Sequence, residues 1–220
     1  IVGFWIGATI GSFLNMALYR LPRDISFLNP AKSMCPACRH SLGPLDLVPL
    51  LSWIFLRGRC RYCKARVSSR YLFVELLTGA LWAGVWWQYL IAGEDPGRSV
   101  AYAFAISALV AVIFIDWETF EIPDSVNALL LAIGLVYHGL SGTIAVSLWG
   151  AFTGWAVIWG IAFFGRAMFK KDAMGHGDIL LMRGIGAIIG AKFVVCGIAL
   201  AVVAGAVFGL MFILIAKSKG

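Results

Sequence analysis

Ala173-Met174-Gly175-His176-Gly177-Asp178 runs straight into the apolar stretch Ile179-Leu180-Leu181-Met182. An ionised aspartate at the opening of a membrane-embedded segment is costly, so its presence there points to function. Gly175 and Gly177 free the backbone for positive φ and close approach. A helix starting near Asp178 offers the carboxylate unpaired N–H groups and a positive dipole end. Alone, the pattern reads first as a helix N-cap after a glycine turn. A second acidic site changes that reading: Asp116 ends the apolar run 107–115, and Asp124 follows in Glu121-Ile122-Pro123-Asp124.

Two aspartates brought together across a helix bundle resist double ionisation. One keeps its proton, and the pair works as acid and base on a water molecule. That is aspartic-protease chemistry, expected here at a membrane surface. Spacing along the chain does not by itself bring the two together.

Of the 220 residues, 61% are hydrophobic and only 13% are charged. A soluble domain is about half apolar and about a quarter charged. Several apolar runs approach the ~20 residues of a spanning helix. The composition excludes a soluble enzyme or binding module. It predicts an all-α polytopic membrane protein with about seven membrane segments and a zinc-binding insert, facing the cytoplasm, between the first two. The chain opens on Ile rather than Met, consistent with a short preceding piece. Its first apolar segment lacks the basic n-region and A-x-A-like site of a cleaved signal peptide.

The first span is expected over residues 1–18. Gly3, Gly7, Gly11 and Asn15 recur every four residues along one face, a small-residue stripe that lets membrane helices pack closely. Ser12 and Asn15 are polar groups expected to face the bundle interior. Tyr19-Arg20-Leu21-Pro22-Arg23 closes the span, and an insert follows. It holds two C-x-x-C knuckles, Cys35-Pro36-Ala37-Cys38 and Cys60-Arg61-Tyr62-Cys63. Four thiolates paired in this way suit one tetrahedral Zn²⁺. Two disulfides are the competing reading, and the side of the membrane decides between them. Ten of the 18 basic residues, from Arg20 and Arg23 through Lys32 to Arg70, sit in or beside this insert. The positive-inside rule therefore makes it cytoplasmic, where thiols stay reduced. With little apolar surface of its own, the insert is expected to draw folding free energy from the metal. Its basic charge reads as topology and contact with anionic lipid, not nucleic acid. Cys196, alone in a late apolar run, reads as a small packed residue.

A second span is expected over residues 71–91, with Glu75 one turn inside it and paired to Arg70 near the interface. The turn Gly93-Glu94-Asp95-Pro96-Gly97-Arg98 leads to a third span at 99–115. Residues 117–124 form an acidic connector that, with Asp116 just before it, carries four carboxylates and no Lys or Arg. Spans at 125–140 and 144–164 follow. A loop over 165–176 then carries Arg166, Lys170 and Lys171, and a short sixth segment over 178–190 follows it. The last span covers 193–216, with Gly197, Ala201, Gly205 and Gly209 as a second small stripe. Lys217 and Lys219 end the chain. This threading leaves only Arg98 and Lys192 clearly on the far side. It sets Asp116, Asp124 and Asp178 at one cytoplasmic interface. The domain reading is a first transmembrane helix at 1–19, the zinc-binding insert at 20–70 and a transmembrane aspartyl protease core at 71–220.

Several motifs together resemble the type IV prepilin peptidases. They are Gly11-Ser12-Phe13-Leu14-Asn15 with Tyr19-Arg20-Leu21-Pro22, the paired knuckles, Pro49-Leu50-Leu51-Ser52-Trp53 and Arg57-Gly58-Arg59-Cys60. Arg70-Tyr71 with Val74-Glu75-Leu76-Leu77-Thr78-Gly79, Asp116 with Ile122-Pro123-Asp124, and the stretch 173–178 complete the set. The resemblance implies a bifunctional enzyme of the bacterial inner (plasma) membrane. It would cut the basic leader from prepilins and pseudopilins on the cytoplasmic side, then N-methylate the new N-terminus with S-adenosylmethionine. It implies Asp116 and Asp178 as the catalytic pair and Asp124, Gly175 and Gly177 as supporting residues. Cys35, Cys38, Cys60 and Cys63 map onto zinc ligands.

A protonated His176 beside Asp178 would stabilise its ionised form, so acidification is expected to act through it. The substrate's apolar helix is expected among the spans, with its basic leader near Glu118, Glu121 and Asp124. No Gly-rich nucleotide loop marks a methyl-donor site, which is expected between the insert and the membrane face. Three alternatives are weighed against this reading. An intramembrane aspartyl protease of the presenilin and signal-peptide-peptidase kind, without methyltransferase activity, shares G-x-G-D but has no reason to carry the insert. A proton-coupled transporter would place its carboxylates near midspan and show a repeat. A non-enzymatic zinc-stabilised scaffold would need neither Asp116 nor Asp178.

Overall fold

The computed structural model describes residues 1–27, 33–93, 95–170 and 174–218. Lys32, Glu94, Lys171, Ala173 and Lys219, on which parts of the sequence reading fall, lie outside the described residues. The described regular structure is helical apart from two isolated β-bridges. Four helical stretches are long and apolar enough to cross a membrane: Val2–Arg23, Pro96–Thr119, Ile144–Met168 and Ala191–Ile215. The remaining apolar helices are shorter. Residues Ile1–Val126 and Asn127–Gly220 form two compact units.

In the first unit, α1 (Val2–Arg20) packs along α3 (Ser69–Val85). The glycine stripe makes the seam. A Cβ on Gly7 would lie 2.5 Å from the Trp82 Cβ and 2.8 Å from the Thr78 carbonyl oxygen. One on Gly11 would lie 2.8 Å from the Glu75 Cα. Asn15, as its register foretold, is buried there and donates through Nδ2 to the Tyr71 carbonyl at 3.0 Å. Between the two helices the described part of the insert holds two 3₁₀ turns, Leu21–Arg23 and Pro44–Asp46, and one short α-helix, α2 (Leu51–Phe55).

The segment expected as a span over 71–91 starts at the Ser68 N-cap, whose hydroxyl accepts from the Arg70 N–H. It ends in a π-helical turn, Trp86–Ile91. Helix α4 (Pro96–Thr119) is started by Asp95, which accepts from the Arg98 N–H, and by Pro96 at its first turn. It stops at Phe120, left-handed at φ 55°, whose N–H bonds the Asp116 carbonyl. Asp116 therefore sits inside the last turn of α4 rather than after it, because the backbone keeps its helical bonds past the apolar run. Leu14, Leu18, Val74, Val110, Ala111 and Ile115 form the core of this unit.

In the second unit lie most of α5 (Asp124–Leu140), α6 (Ile144–Phe169), α7 (His176–Ile189) and α8 (Ala191–Ser218). The loop expected from residue 165 is shortened, since α6 continues to Phe169 before Lys170 turns left-handed. Helices α6 and α7 cross with backbones in contact. A Cβ on Gly150 would overlap the Gly186 carbonyl oxygen, and one on Gly154 would overlap that of Met182. Gly150→Ala must therefore push two backbones apart, a change that costs about 1–3 kcal/mol. The expected result is a clearly lowered midpoint of heat unfolding in detergent. Gly160→Ala on the same helix, where a Cβ meets nothing within 4 Å, is expected to be neutral or stabilising.

Buried His138 closes the far end of α7: Nε2 donates to the Ile188 carbonyl at 3.2 Å, and Nδ1 meets the Thr143 hydroxyl at 2.7 Å. Two expectations fail in α8. A Cβ on Gly197, Gly205 or Gly209 would meet nothing within 4 Å, so this stripe makes no seam among the described residues. Cys196 is exposed rather than packed, because it points away from the one face that Val194 and Ile198 bury against α6 and α7.

Candidate active site and metal centre

The two knuckles repeat one backbone design. In the first, the Cys35 N–H bonds the His40 carbonyl at 3.0 Å and the Arg39 N–H bonds the Cys35 carbonyl at 2.8 Å. In the second, the Cys60 N–H bonds the Ala65 carbonyl at 2.8 Å and the Lys64 N–H bonds the Cys60 carbonyl at 3.1 Å. Arg39 and Lys64 both turn left-handed, at φ 55° and 60°, to close the loops. The four sulfurs of Cys35, Cys38, Cys60 and Cys63 lie within 4.8 Å of one another, and all are free thiols. Cys35 Sγ and Cys63 Sγ are 3.8 Å apart, close to the edge of a tetrahedron built on Zn–S bonds of about 2.3 Å.

The backbone N–H groups of Cys63 and Tyr62 pull the Cys60 thiol down to about 7, which favours the thiolate a metal requires. At Cys63 the Ala65 N–H acts in the same direction. Burial and the three other sulfurs outweigh it and push that thiol up to about 11. One cation among the sulfurs removes this conflict, so the site fits a metal.

Asp46, which the sequence reading passed over, braces the second knuckle. It accepts from Arg61 Nε at 2.6 Å, from the Tyr62 hydroxyl at 3.2 Å and from the Gly43 N–H at 3.1 Å. The Arg61 guanidinium is the main reason its carboxyl stays below the usual range. The Tyr62 ring in turn packs on His40 of the first knuckle, centroids 3.7 Å apart. The Gly43-Pro44-Leu45-Asp46 turn was the signal that could have found it.

Glu75 does not pair with Arg70. It is buried and accepts from the Leu50 N–H at 2.7 Å, with Ser12 as a second partner. Leu50 holds a left-handed φ of 61° as it enters α2, so this carboxylate ties the insert to α1 and α3. Arg70 pairs instead with Glu118, two residues beyond Asp116. Of the acidic connector, Glu118 is thus engaged. Asp116, Glu121 and Asp124 are exposed.

Asp178 occupies the first turn of α7, as the G-x-G-D reading foretold. Gly175 caps the helix in an extended conformation, φ −71° and ψ 150°, and its N–H donates to Asp178 Oδ2 at 3.2 Å. That is the reciprocal half of a capping box, satisfied here by a carboxylate near the helix N-terminus. Asp178 is half-buried, while His176 is exposed. Asp116 and Asp124 belong to the first unit and Asp178 to the second.

Residues 5–89 match the family model for the Bacterial Peptidase A24 N-terminal domain, and residues 102–210 match that for the Type IV leader peptidase family. A prepilin leader peptidase/N-methyltransferase of Aeromonas hydrophila is 33% identical over 96% of this chain and 80% of its own length. The chain belongs to the type IV leader peptidase family. Proteins of the same name from Stutzerimonas stutzeri and Neisseria gonorrhoeae are 33% and 30% identical. The first covers 97% of this chain and 81% of the relative, the second 84% and 72%. No solved structure matches the chain. The first matched region contains the four cysteines and Glu75. The second contains Asp116, Asp124 and Asp178.

Proposed function

We propose that this chain is a bifunctional enzyme of the bacterial inner membrane. It removes the basic leader from prepilins and pseudopilins at the cytoplasmic face, then methylates the exposed N-terminus. The similarity to prepilin leader peptidase/N-methyltransferases along almost the whole chain carries this reading. Membership makes the chain a membrane aspartic peptidase with methyltransferase activity. The finer assignments rest on the residues.

Asp116 and Asp178 are the catalytic pair: one, ionised, takes a proton from water while the other donates one to the departing amine. Asp124 supports them, and Gly175 and Gly177 shape the turn that presents Asp178. Glu121 and Asp124 are free to receive the basic leader, with Glu118 already sharing Arg70. Zinc in the cluster of Cys35, Cys38, Cys60 and Cys63 is structural, with no open coordination position for chemistry. S-adenosylmethionine is the methyl donor. Seven membrane segments follow if the three shorter apolar helices, α3, α5 and α7, cross or enter the bilayer beside the four long ones. The outward apolar side chains of α8 suit contact with lipid. The domain reading of a first helix at 1–19, an insert at 20–70 and a protease core at 71–220 stands with this assignment.

Incubating the purified chain in detergent with a prepilin and S-adenosylmethionine tests the reading by mass spectrometry. The expected product is shorter by its leader and heavier by one methyl group, and an uncut substrate would overturn it. The two activities are also expected to separate. Hydrolysis needs water and two carboxylates, whereas methylation needs a bound donor and a free amine. Asp116→Asn should therefore still methylate a synthetic mature N-terminus at close to the unmodified rate. Loss of methylation in that variant, with fold and zinc content unchanged, would show a shared site.

A further inference from the structure

Asn127 sits in the first turns of α5 and is 1% exposed. Its Nδ2 donates to the Gly177 carbonyl at 3.5 Å, while its Oδ1 is sealed from solvent and meets no donor among the described residues. The surroundings are apolar and close-packed. Val126 and Leu130 are buried on the same helix, and a Cβ on Gly184 of α7 would lie 2.8 Å from the Leu130 Cβ and 3.4 Å from the Asn127 carbonyl oxygen. A buried amide with one group left unsatisfied is a net cost to folding, which an apolar side chain of the same volume would avoid. Packing therefore does not account for Asn127. The bond it makes does.

Gly177 carries the peptide plane that leads directly into Asp178. Gly177 stands in the first turn of α7, where helix ends fray and a glycine restrains the backbone least. The Gly175 N–H to Asp178 Oδ2 bond ties the turn on its exposed side, where water competes for both groups. Asn127, itself sealed from water, ties it on the side that faces α5. Close packing of Gly184 against α5 holds the amide at that distance. We propose that Asn127 is a positioning residue for Asp178, clamping the Gly177 peptide so that the carboxylate keeps one orientation at the start of α7. This rests on the reading of Asp178 as a catalytic aspartate.

The test is the steady-state rate of leader removal from a synthetic prepilin by the full chain in detergent, with Asp178→Asn measured beside it. Asn127→Asp keeps the shape but carries no N–H, and Asn127→Gln restores the amide donor. The expected result is a kcat lowered roughly 10²-fold in Asn127→Asp, as for a small misplacement of a reacting group, with KM nearly unchanged. Asn127→Gln should recover most of the loss. If Asn127→Asp unfolds, Asn127→Leu, which fills the volume without a charge, takes its place with the same expectation. An unchanged kcat, a change confined to KM, or equal losses in the Asp and Gln variants would overturn the proposal. Cleavage by Asp178→Asn would instead overturn the catalytic reading on which it rests.

Discussion

Asp178→Asn is expected to stop leader removal while leaving the fold intact. Asparagine keeps the size of aspartate at the third residue of α7, and its side-chain oxygen still accepts from the Gly175 N–H, the bond the carboxylate makes among the described residues. What it loses is the charge and the exchangeable proton. A general acid–base group contributes 10²–10⁴-fold, and loss of a member of a cooperating set reaches roughly 10⁴-fold. Asp116→Asn is expected to match it, since Asp116 is exposed and makes no side-chain bond among the described residues that its amide would break. Asp124→Asn, at the entrance to α5, should lower the rate less. On the proposed reading its carboxylate, in the first turn of α5, meets leader charge and does not exchange the proton. Single-turnover cleavage of a labelled prepilin measures all three. Equal losses at 116, 124 and 178 would remove the distinction between the pair and its support.

Loss of the metal is the second large effect expected. The purified chain should carry about one zinc, and Cys60→Ser should leave it largely metal-free, because three thiolates hold zinc far less well than a closed tetrahedral set. Structural zinc supplies on the order of 10 kcal/mol to small domains, more than the insert's few buried side chains can offer. The Asp46 brace remains, but its Arg61 partner is 46% exposed, so the pair adds little on its own. Methylation should fall more steeply than cleavage, as the aspartates lie on α4 and α7 and not in the insert. Acid should act in the same direction. Zinc requires thiolates and protons compete with it for them, so zinc content should drop as the pH is lowered. Elemental analysis across pH checks this. A metal-free, fully active chain with two disulfides would contradict it.

The glycine stripe of α1, the cap at Asp178 and the paired knuckles were legible in the sequence because each is local. A four-residue period, a G-x-G-D turn and C-x-x-C spacing fix geometry within a few residues. Misreadings arose where partners come from elsewhere in the chain. Glu75 and Arg70 lie close enough along the helix to suggest a pair, yet Glu75 turns to the Leu50 N–H and Arg70 to Glu118. No spacing rule reports a backbone donor 25 residues away. The end of α4 at Thr119 was missed because hydropathy marks where apolar residues stop, not where helical bonds stop. Asn127 was overlooked as one polar residue in an apolar run, and only its burial against Gly177 shows what it touches.

The most direct measurement of the central claim is the cleavage rate of Asp116→Asn, Asp178→Asn and the double variant, side by side on one prepilin. Two groups that share one task fail together, so removing the second after the first costs little more. The expected result is that all three rates coincide at the uncatalysed background, with zinc content and thermal unfolding unchanged. Appreciable cleavage by either single variant, or a double variant slower than both by the product of their separate losses, would contradict a mechanism in which Asp116 and Asp178 act as one pair.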